Sequence, residues 1–132
     1  MTAVRALHDD DTGSSPVEFV LVGVLLTVLT VAVLQLGLAV YVRNVVHDAA
    51  VEGAYRAALA DTTLQDGVSR TNDLIARTVG TGFAGTVTAR ETERLGHAAV
   101  EVTVVATLPL LGLLGPAQGL EVTAHAPVET LG

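Results

Sequence analysis

The sequence predicts a membrane-anchored α+β protein. Its expected fold is a long N-terminal transmembrane helix that extends into a soluble helix, with a small antiparallel β-sheet of about three strands packed on it. Three observations predict this fold. An uncharged apolar run extends from Phe19 to Val42, a segment rich in Ala and Val with helical spacing follows it, and the C-terminal part alternates between apolar and polar residues.

The composition narrows the class of protein. The chain has 132 residues, of which 50% are hydrophobic but only 3% aromatic, and this favours a membrane-seeking chain over a densely packed globular one. The formal net charge is −7, so the chain is poorly suited to nucleic acid, whose phosphates require concentrated positive charge. There is no cysteine, which excludes disulfides, thiolate nucleophiles and zinc–thiolate sites.

The apolar run has the length of a membrane span, and residues 14–42 are predicted as the transmembrane helix. At about 1.5 Å per residue, the run would extend about 36 Å as a helix, enough to cross a hydrocarbon core of about 30 Å. The hydroxyls of Thr27 and Thr30 can bond back to their own helix at little cost. Gln35 either faces a neighbouring helix or is an amide that lipid tolerates near one end of the span.

Residues 43–80 are predicted as a soluble helical extension. Nothing breaks the helix at Arg43, so it is expected to continue to about Ala60, and a weaker second helix should follow, with Gly67 as the weak point of its first turn. Small residues at a spacing of four share one helical face, where another backbone can approach closely. The alternative is that alanine is simply common in such a composition. The residues predicted for helix packing are Ala49, Gly53 and Ala57.

Residues 81–132 are predicted as a small antiparallel β domain. Alternation around Val87 and again around Val102 indicates two strands joined by a hairpin turn at Arg94–His97, and a third strand should extend from Leu120 to about Ala126. A Gly- and Pro-punctuated loop with exposed leucines lies before this third strand. The stretch GTGFAG matches the dinucleotide-binding pattern in letters only, because a helical pattern precedes it and a strand follows it. It is therefore interpreted as a linker.

Glu18 is the one charged residue at the edge of the apolar run. Ser15-Pro16-Val17-Glu18 predicts a capping box with proline at the first helical position, in which Glu18 helps to start the helix. A second interpretation is that the carboxylate forms an ion pair with another molecule, because a carboxylate in lipid is costly unless an opposite charge pairs with it. The two interpretations are compatible.

The residues around Glu18 resemble a known family. From Gly13 to about Ala58, the sequence resembles the opening of TadE-like proteins of the Tad (Flp) pilus assembly system. In that family a glycine and a Glu-aromatic pair, here Glu18 and Phe19, precede a single span. The stretch YVRNVVHDAAVEGAYRA after the span is similar to the family, and so is the closing VTAHAPVE.

The resemblance implies a minor pilin-like (pseudopilin) role in Tad pilus assembly or secretion, by helix packing in the membrane. Residues 1–13 would be a leader peptide, cut after Gly13 by a prepilin peptidase so that Ser14 becomes the N-terminus. Glu18 would then meet the free N-terminal amine of a neighbouring subunit. The implied partners are the lipid bilayer, the prepilin peptidase and other Tad pilin-like and assembly proteins. The implied location is the cytoplasmic (inner) membrane, with the N-terminus cytoplasmic and the C-terminal domain extracytoplasmic.

No catalytic constellation is visible, so the protein is not expected to be an enzyme, to carry a metal or cofactor, or to take a small-molecule substrate. Its four histidines are scattered, and no serine lies in a G-x-S-x-G elbow. The main alternative function is a signal-anchored, single-pass envelope accessory protein with an unprocessed N-terminus and a partner-binding β domain. The predicted leader contains one basic residue, Arg5, and three aspartates. The charges that flank the span therefore do not predict its orientation in the membrane.

Overall fold

The computed structural model describes residues 11–108 and 119–130. It confirms the predicted α+β class: a long N-terminal helix, a second helix and a three-stranded antiparallel sheet. The chain divides into two compact units, the first ending at Gly37 and the second beginning at Leu38, and the predicted boundaries after residues 13, 42 and 80 stay predictions. The elements are α1 (Asp11–Ala58), α2 (Leu64–Thr78), a 3₁₀ turn (Thr81–Phe83), β1 (Thr86–Arg94), β2 (His97–Thr107) and β3 (Gly119–Pro127).

The described part of the first unit is helical and mostly apolar. Within the described residues one helix, Gly13–Ala58, is long and apolar enough to cross a membrane, and its mean hydropathy over the most apolar stretch is 2.7 with none of that stretch buried. Phe19 is 80% exposed and Leu34 68% exposed. A helix that exposes large apolar side chains all round suits lipid rather than water.

The two threonines of the apolar run bond to their own helix, as predicted. The Thr27 hydroxyl donates to the Gly23 carbonyl at 2.8 Å, and the Thr30 hydroxyl donates to the Leu26 carbonyl at 2.7 Å. Each hydroxyl is therefore satisfied without a partner from another chain, and neither demands water at this point of the helix.

The predicted start of the long helix is wrong. The described helix already begins at Asp11, and Pro16 lies inside it, so Ser15 is a helical residue and not the N-cap of a capping box. The φ angle of proline is compatible with a helix, so the residues before Pro16 can remain helical. The cost is the hydrogen bond that the missing Pro16 N–H would have donated to the carbonyl four residues earlier, together with crowding of that carbonyl by the proline ring. The helix ends at Ala58, close to the predicted Ala60.

The core of the second unit lies between the C-terminal part of α1 and the sheet. The buried residues of α1 recur at spacings of three and four, which places them on one helical face. They form a single cluster with the inward-facing residues of β2 and β3. The α1 members are Val42, Val46, Ala49, Ala50, Ala54, Ala57 and Ala58, and the strand members are Val100, Val102, Val104, Ala106, Leu120, Val122, Ala124 and Ala126. Most of these side chains are short, so helix and sheet pack closely.

The sheet has the order β1-β2-β3 with antiparallel neighbours, as the alternation predicted. The turn between β1 and β2 is also confirmed: Leu95 has φ 54° and Gly96 has φ 80°, the two positive values of a type I′ hairpin. The linker interpretation of GTGFAG is confirmed, because its 3₁₀ turn lies between α2 and β1. Most of the predicted leader (residues 1–10) and of the leucine-containing loop (residues 109–118) lies outside the described residues.

A reciprocal cap starts α2. The Thr63 N–H donates to Asp66 Oδ2 at 2.7 Å, and the Asp66 N–H donates to Thr63 Oγ1 at 3.3 Å. These bonds satisfy backbone donors that have no partner inside the helix. The hydrogen bonds from Thr63 hold the pKa of the Asp66 carboxyl below its usual value.

Thr63→Ala is expected to lower the free energy of unfolding by about 1 kcal/mol, because it removes the side-chain half of this cap. Urea unfolding of the full chain in detergent micelles, followed by circular dichroism, measures the loss. The matched control is Ser69→Ala, which removes an exposed hydroxyl from the middle of the same helix. Equal unfolding midpoints for the two variants would contradict the assignment of Thr63 as the cap.

Candidate functional site

The predicted acidic site lies on the exposed surface of α1. Glu18 is exposed and has exposed apolar neighbours at Val17, Phe19 and Val20. It is the only Asp, Glu, Lys or Arg between residues 13 and 42. Among the described residues, no ion pair or side-chain hydrogen bond involves its carboxylate.

The predicted processing site, Gly13 and Ser14, lies one to two turns before Glu18 on the same helix. Both residues are exposed, and a Cβ built on Gly13 would meet no atom within 4 Å. The structure thus leaves room for a larger side chain at Gly13. A requirement for glycine there would have to come from an enzyme that binds this segment and not from the packing of the chain itself.

The predicted helix-packing residues lie at a crossing between α1 and α2. A Cβ on Gly53 would come within 1.8 Å of Thr71 Oγ1 and 2.8 Å of the Gly67 carbonyl oxygen. Conversely, a Cβ on Gly67 would come within 2.6 Å of both the Ala57 Cβ and the Gly53 carbonyl oxygen. The backbones of α1 and α2 therefore contact each other at Gly53 and Gly67, and neither position has room for a side chain.

Thr71 lies at this crossing and is fully buried. Its hydroxyl lies 2.9 Å from the Gly67 carbonyl oxygen of its own helix and 3.3 Å from the Ala49 carbonyl oxygen of α1, and the hydrogen bond to Ala49 is the one that links the two helices. On the solvent side, Arg70 pairs with Glu52 at 3.2 Å across the same helix pair. The face that the sequence predicted for packing is thus occupied by the second helix of the same chain.

Sequence reasoning missed two residues of this crossing. Gly67 was predicted to be a weak point in α2, whereas it is the residue that lets α1 approach. Thr71 was not singled out at all. The signal was nevertheless present, because Gly67 and Thr71 are spaced by four, like the small residues of α1, and therefore share one face.

A polar ladder crosses the outer face of the sheet, where the register places Arg90 opposite Glu101 and Glu101 opposite His125. Arg90 Nε donates to Glu101 Oε1 at 2.5 Å, and His125 Nε2 lies 2.9 Å from Glu101 Oε2. The Arg94 guanidinium lies 2.8 Å from His125 Nδ1. Since arginine can only donate, Nδ1 accepts and Nε2 carries the proton given to Glu101.

We expect this ladder to make the stability of the second unit depend on pH. The hydrogen bond from Arg90, followed by that from His125, lowers the pKa of Glu101, and Glu101 raises the pKa of Arg90. A carboxylate whose pKa is lower in the folded state stabilises the fold fully above its unfolded pKa of about 4.3. The contribution is lost as the pH falls through the lower folded value.

Glu101→Gln is expected to remove this part of the pH dependence, so that the midpoint of thermal unfolding falls less steeply as the pH is lowered below 5. Thermal unfolding across that range, compared with the unmodified chain, measures the slope. Glu121→Gln, on the same outer face, is the matched control and should leave the slope unchanged. A slope for Glu101→Gln identical to that of the unmodified chain would show that the ladder does not couple to folding.

The described histidines do not build a metal centre. In residues 11–108 and 119–130, no group of three or more His, Asp or Glu side chains is arranged to hold a metal ion. The prediction that the chain has no metal or cofactor and is not an enzyme stays a prediction.

Comparison with protein-family models gives a match within the N-terminal helix. A family model described as TadE-like protein matches residues 13–54. The chain carries a TadE-like segment. This segment starts at the predicted processing glycine, contains Glu18 and Phe19, and ends beside Gly53 of the helix crossing. The match confirms the resemblance inferred from the sequence, while comparisons with curated proteins and with solved structures give no significant match.

The TadE-like segment covers about a third of the chain. The match indicates involvement in Tad pilus assembly, together with the other assembly proteins and the membrane. The apolar part of the TadE-like segment is long and apolar enough to cross a membrane. The second unit, which begins inside the TadE-like segment at Leu38, lies mostly beyond the matched residues.

Proposed function

We propose that the protein is a minor pilin-like (pseudopilin) component of a Tad/Flp-type pilus assembly or secretion system. It is anchored in the cytoplasmic membrane by residues 14–42, with its N-terminus in the cytoplasm and its C-terminal domain outside. It acts by packing its helix against other pilin-like helices and not by turning over a substrate. The observation that carries this proposal is the lone, exposed Glu18 carboxylate within a TadE-like segment.

The chemistry of Glu18 specifies its partner. A carboxylate costs roughly 2.5–3.5 kcal/mol at the centre of a bilayer and less near the edge of the span, where Glu18 lies, and a cation at hydrogen-bond distance offsets that cost best. The span offers no lysine or arginine, so a neighbouring span of similar sequence could supply only a chain terminus. A free N-terminal amine has a pKa of about 8 and is protonated at neutral pH. Glu18 therefore pairs with the amine of an adjacent trimmed subunit.

Pro16 supports trimming after Gly13. In the full chain Pro16 lies inside α1 and costs the helix one hydrogen bond. If the chain began at Ser14, Pro16 would be its third residue, where the backbone N–H has no helical partner in any case. The same missing bond makes the helix around Gly13 easier to unwind, as a peptidase requires.

The N-terminus of the membrane-extracted protein tests this proposal. Intact-mass measurement and N-terminal sequencing should find a chain that starts at Ser14. A chain that keeps residues 1–13 would instead favour the signal-anchored accessory protein, in which Glu18 has no trimmed neighbour to meet.

Gly13→Leu is expected to abolish trimming, because a peptidase pocket shaped for glycine has no room for a branched side chain. The mass of the mature protein should then increase by the whole leader. Gly23→Leu is the matched control, since a Cβ at Gly23 also meets no atom within 4 Å, and this variant should be trimmed normally. An unchanged mature N-terminus in Gly13→Leu would contradict the predicted processing site.

A further inference from the structure

The polar ladder on the outer face of the sheet carries unequal charge. It contains one carboxylate, that of Glu101, and two guanidinium groups, those of Arg90 and Arg94, with His125 between Glu101 and Arg94. Because His125 Nδ1 accepts from Arg94, the imidazole ring is neutral in this arrangement. Glu101 compensates the charge of Arg90, so one positive charge remains at Arg94.

Most N–H groups of the Arg94 guanidinium are available to another molecule. An arginine side chain carries five donors. Within the described residues the side-chain hydrogen bond of Arg94 goes to the His125 ring, and none of the ion pairs includes Arg94. The acidic residues of the same strand, Glu91 and Glu93, alternate with Arg94 and therefore lie on the opposite face of the sheet. Arg94 can thus still form a charge-assisted hydrogen bond with a carboxylate.

A small surface depression beside Arg94 has both donor groups and apolar walls. Its volume is about 310 Å³, at the lower end of the range for ligand sites. Arg94, His97 and His125 can donate into it, and the rest of its wall is apolar, including Leu95 and Pro127. No aspartate or glutamate is among the described residues that line it, although the whole chain has 14 of them. An anionic group would therefore meet donors here and no like charge.

Neither backbone conformation nor packing explains a leucine at the tip of the hairpin. The φ angle of Leu95 is 54°, in the left-handed region that a bulky side chain rarely adopts and where this turn type favours asparagine or glycine. The Leu95 side chain is 93% exposed, so it contributes almost nothing to the core of the second unit. An apolar side chain that is unfavourable for its turn and yet unburied points to contact with another molecule.

We propose that the hairpin surface, formed by Arg94, Leu95, His97 and His125, binds a segment of a partner protein that presents a carboxylate side chain next to an apolar one. The carboxylate enters the depression and accepts hydrogen bonds from Arg94 and His97, and the apolar side chain packs against Leu95. A free carboxylate or phosphate ion would leave Leu95 uncovered, so the observations favour a protein segment. The proposal does not depend on trimming after Gly13 or on the membrane anchor.

Titration with two matched peptides, followed by NMR, tests this surface. The full protein in neutral dodecyl maltoside micelles is titrated with acetyl-Leu-Glu-Leu-amide and with the same peptide carrying glutamine in place of glutamate. The ring signals of His97 and His125 should shift saturably with the glutamate peptide, and the glutamine peptide should bind several-fold more weakly. The His47 ring, which lies on α1, is the internal control and should not shift.

Two results of this titration would overturn the proposal. Equal affinity for the glutamate and glutamine peptides would show that the surface does not recognise a carboxylate. Sodium acetate that binds as tightly as the glutamate peptide would show that the site takes a free anion and that Leu95 makes no contact with a protein segment.

Two variants separate the charge from the apolar contact. Arg94→Gln should weaken binding of the glutamate peptide about tenfold, whereas Arg77→Gln, which removes an exposed arginine from α2, should leave it unchanged. Leu95→Asn should weaken binding several-fold and yet raise the midpoint of urea unfolding, because asparagine suits this turn position. Equal binding by the Arg94→Gln and Arg77→Gln variants would contradict the proposal, and so would a Leu95→Asn variant that binds the peptide like the unmodified chain.

Discussion

Gly53→Ala is expected to destabilise the second unit by about 2 kcal/mol. The added methyl group would meet Thr71 Oγ1 at 1.8 Å and the Gly67 carbonyl oxygen at 2.8 Å. The helices can relieve these contacts only by moving apart, which also opens the packing around Ala49 and Ala57, and overpacking of this kind costs roughly 1–3 kcal/mol or more. The gain in helix propensity from Gly to Ala, about 1 kcal/mol, offsets only part of the cost. Chemical unfolding of the full chain in micelles measures the difference.

Two comparison variants identify the cause. Gly82→Ala adds the same methyl group where no atom lies within 4 Å, and its unfolding free energy should stay close to that of the unmodified chain. Gly53→Ala combined with Thr71→Ala should recover part of the loss, because the hydroxyl contact disappears while the contact with the Gly67 carbonyl remains. If Gly53→Ala alone unfolds like the unmodified protein, the two helices do not cross at these glycines.

Glu18→Gln is expected to leave membrane insertion intact and to reduce co-assembly with Tad partners roughly tenfold or more. Glutamine has nearly the same size and keeps a carbonyl acceptor but has no charge, so the N-terminal amine of a neighbour loses its counter-ion. A loss of 1.4 kcal/mol already corresponds to about tenfold, and removing one member of a buried ion pair costs roughly 3–5 kcal/mol. Co-purification from membranes under mild detergent, quantified against the amount of inserted protein, measures the effect.

Asp48→Asn is the matched control for charge. Asp48 is also an exposed acid of α1, but it lies in the second unit outside the predicted span. Its neutralisation should leave co-assembly unchanged. Normal recovery of partners with Glu18→Gln, together with normal trimming at Ser14, would show that the carboxylate does not hold the subunits together.

The features that the sequence predicted correctly depend on local patterns. The uncharged run before Val42, the alternation of the strands and the Leu95–Gly96 turn can each be inferred from neighbouring residues, because hydrophobic period and turn chemistry act over a few positions. The TadE-like resemblance depended on the same kind of signal, a glycine followed by a Glu-aromatic pair and an apolar helix.

The features that the sequence did not predict depend on tertiary contacts or on competition between local signals. The small face of α1 around Gly53 indicated close packing but not that α2 of the same chain would cover it. The ladder through Glu101 needs the register of all three strands, which no single segment encodes. Around Pro16, a strong capping signal competed with continuation of the helix, and the structure shows that the helix continues through the proline.

The most direct test of the central claim, that an apolar helix anchors this chain in lipid, is extraction of cell membranes at alkaline pH followed by flotation through a density gradient. An integral span keeps its protein with the lipid when peripheral contacts are stripped away. We predict that the full protein floats with the membranes after extraction, and that it still does so as the Glu18→Gln variant. Recovery of the protein in the aqueous fraction would contradict the account.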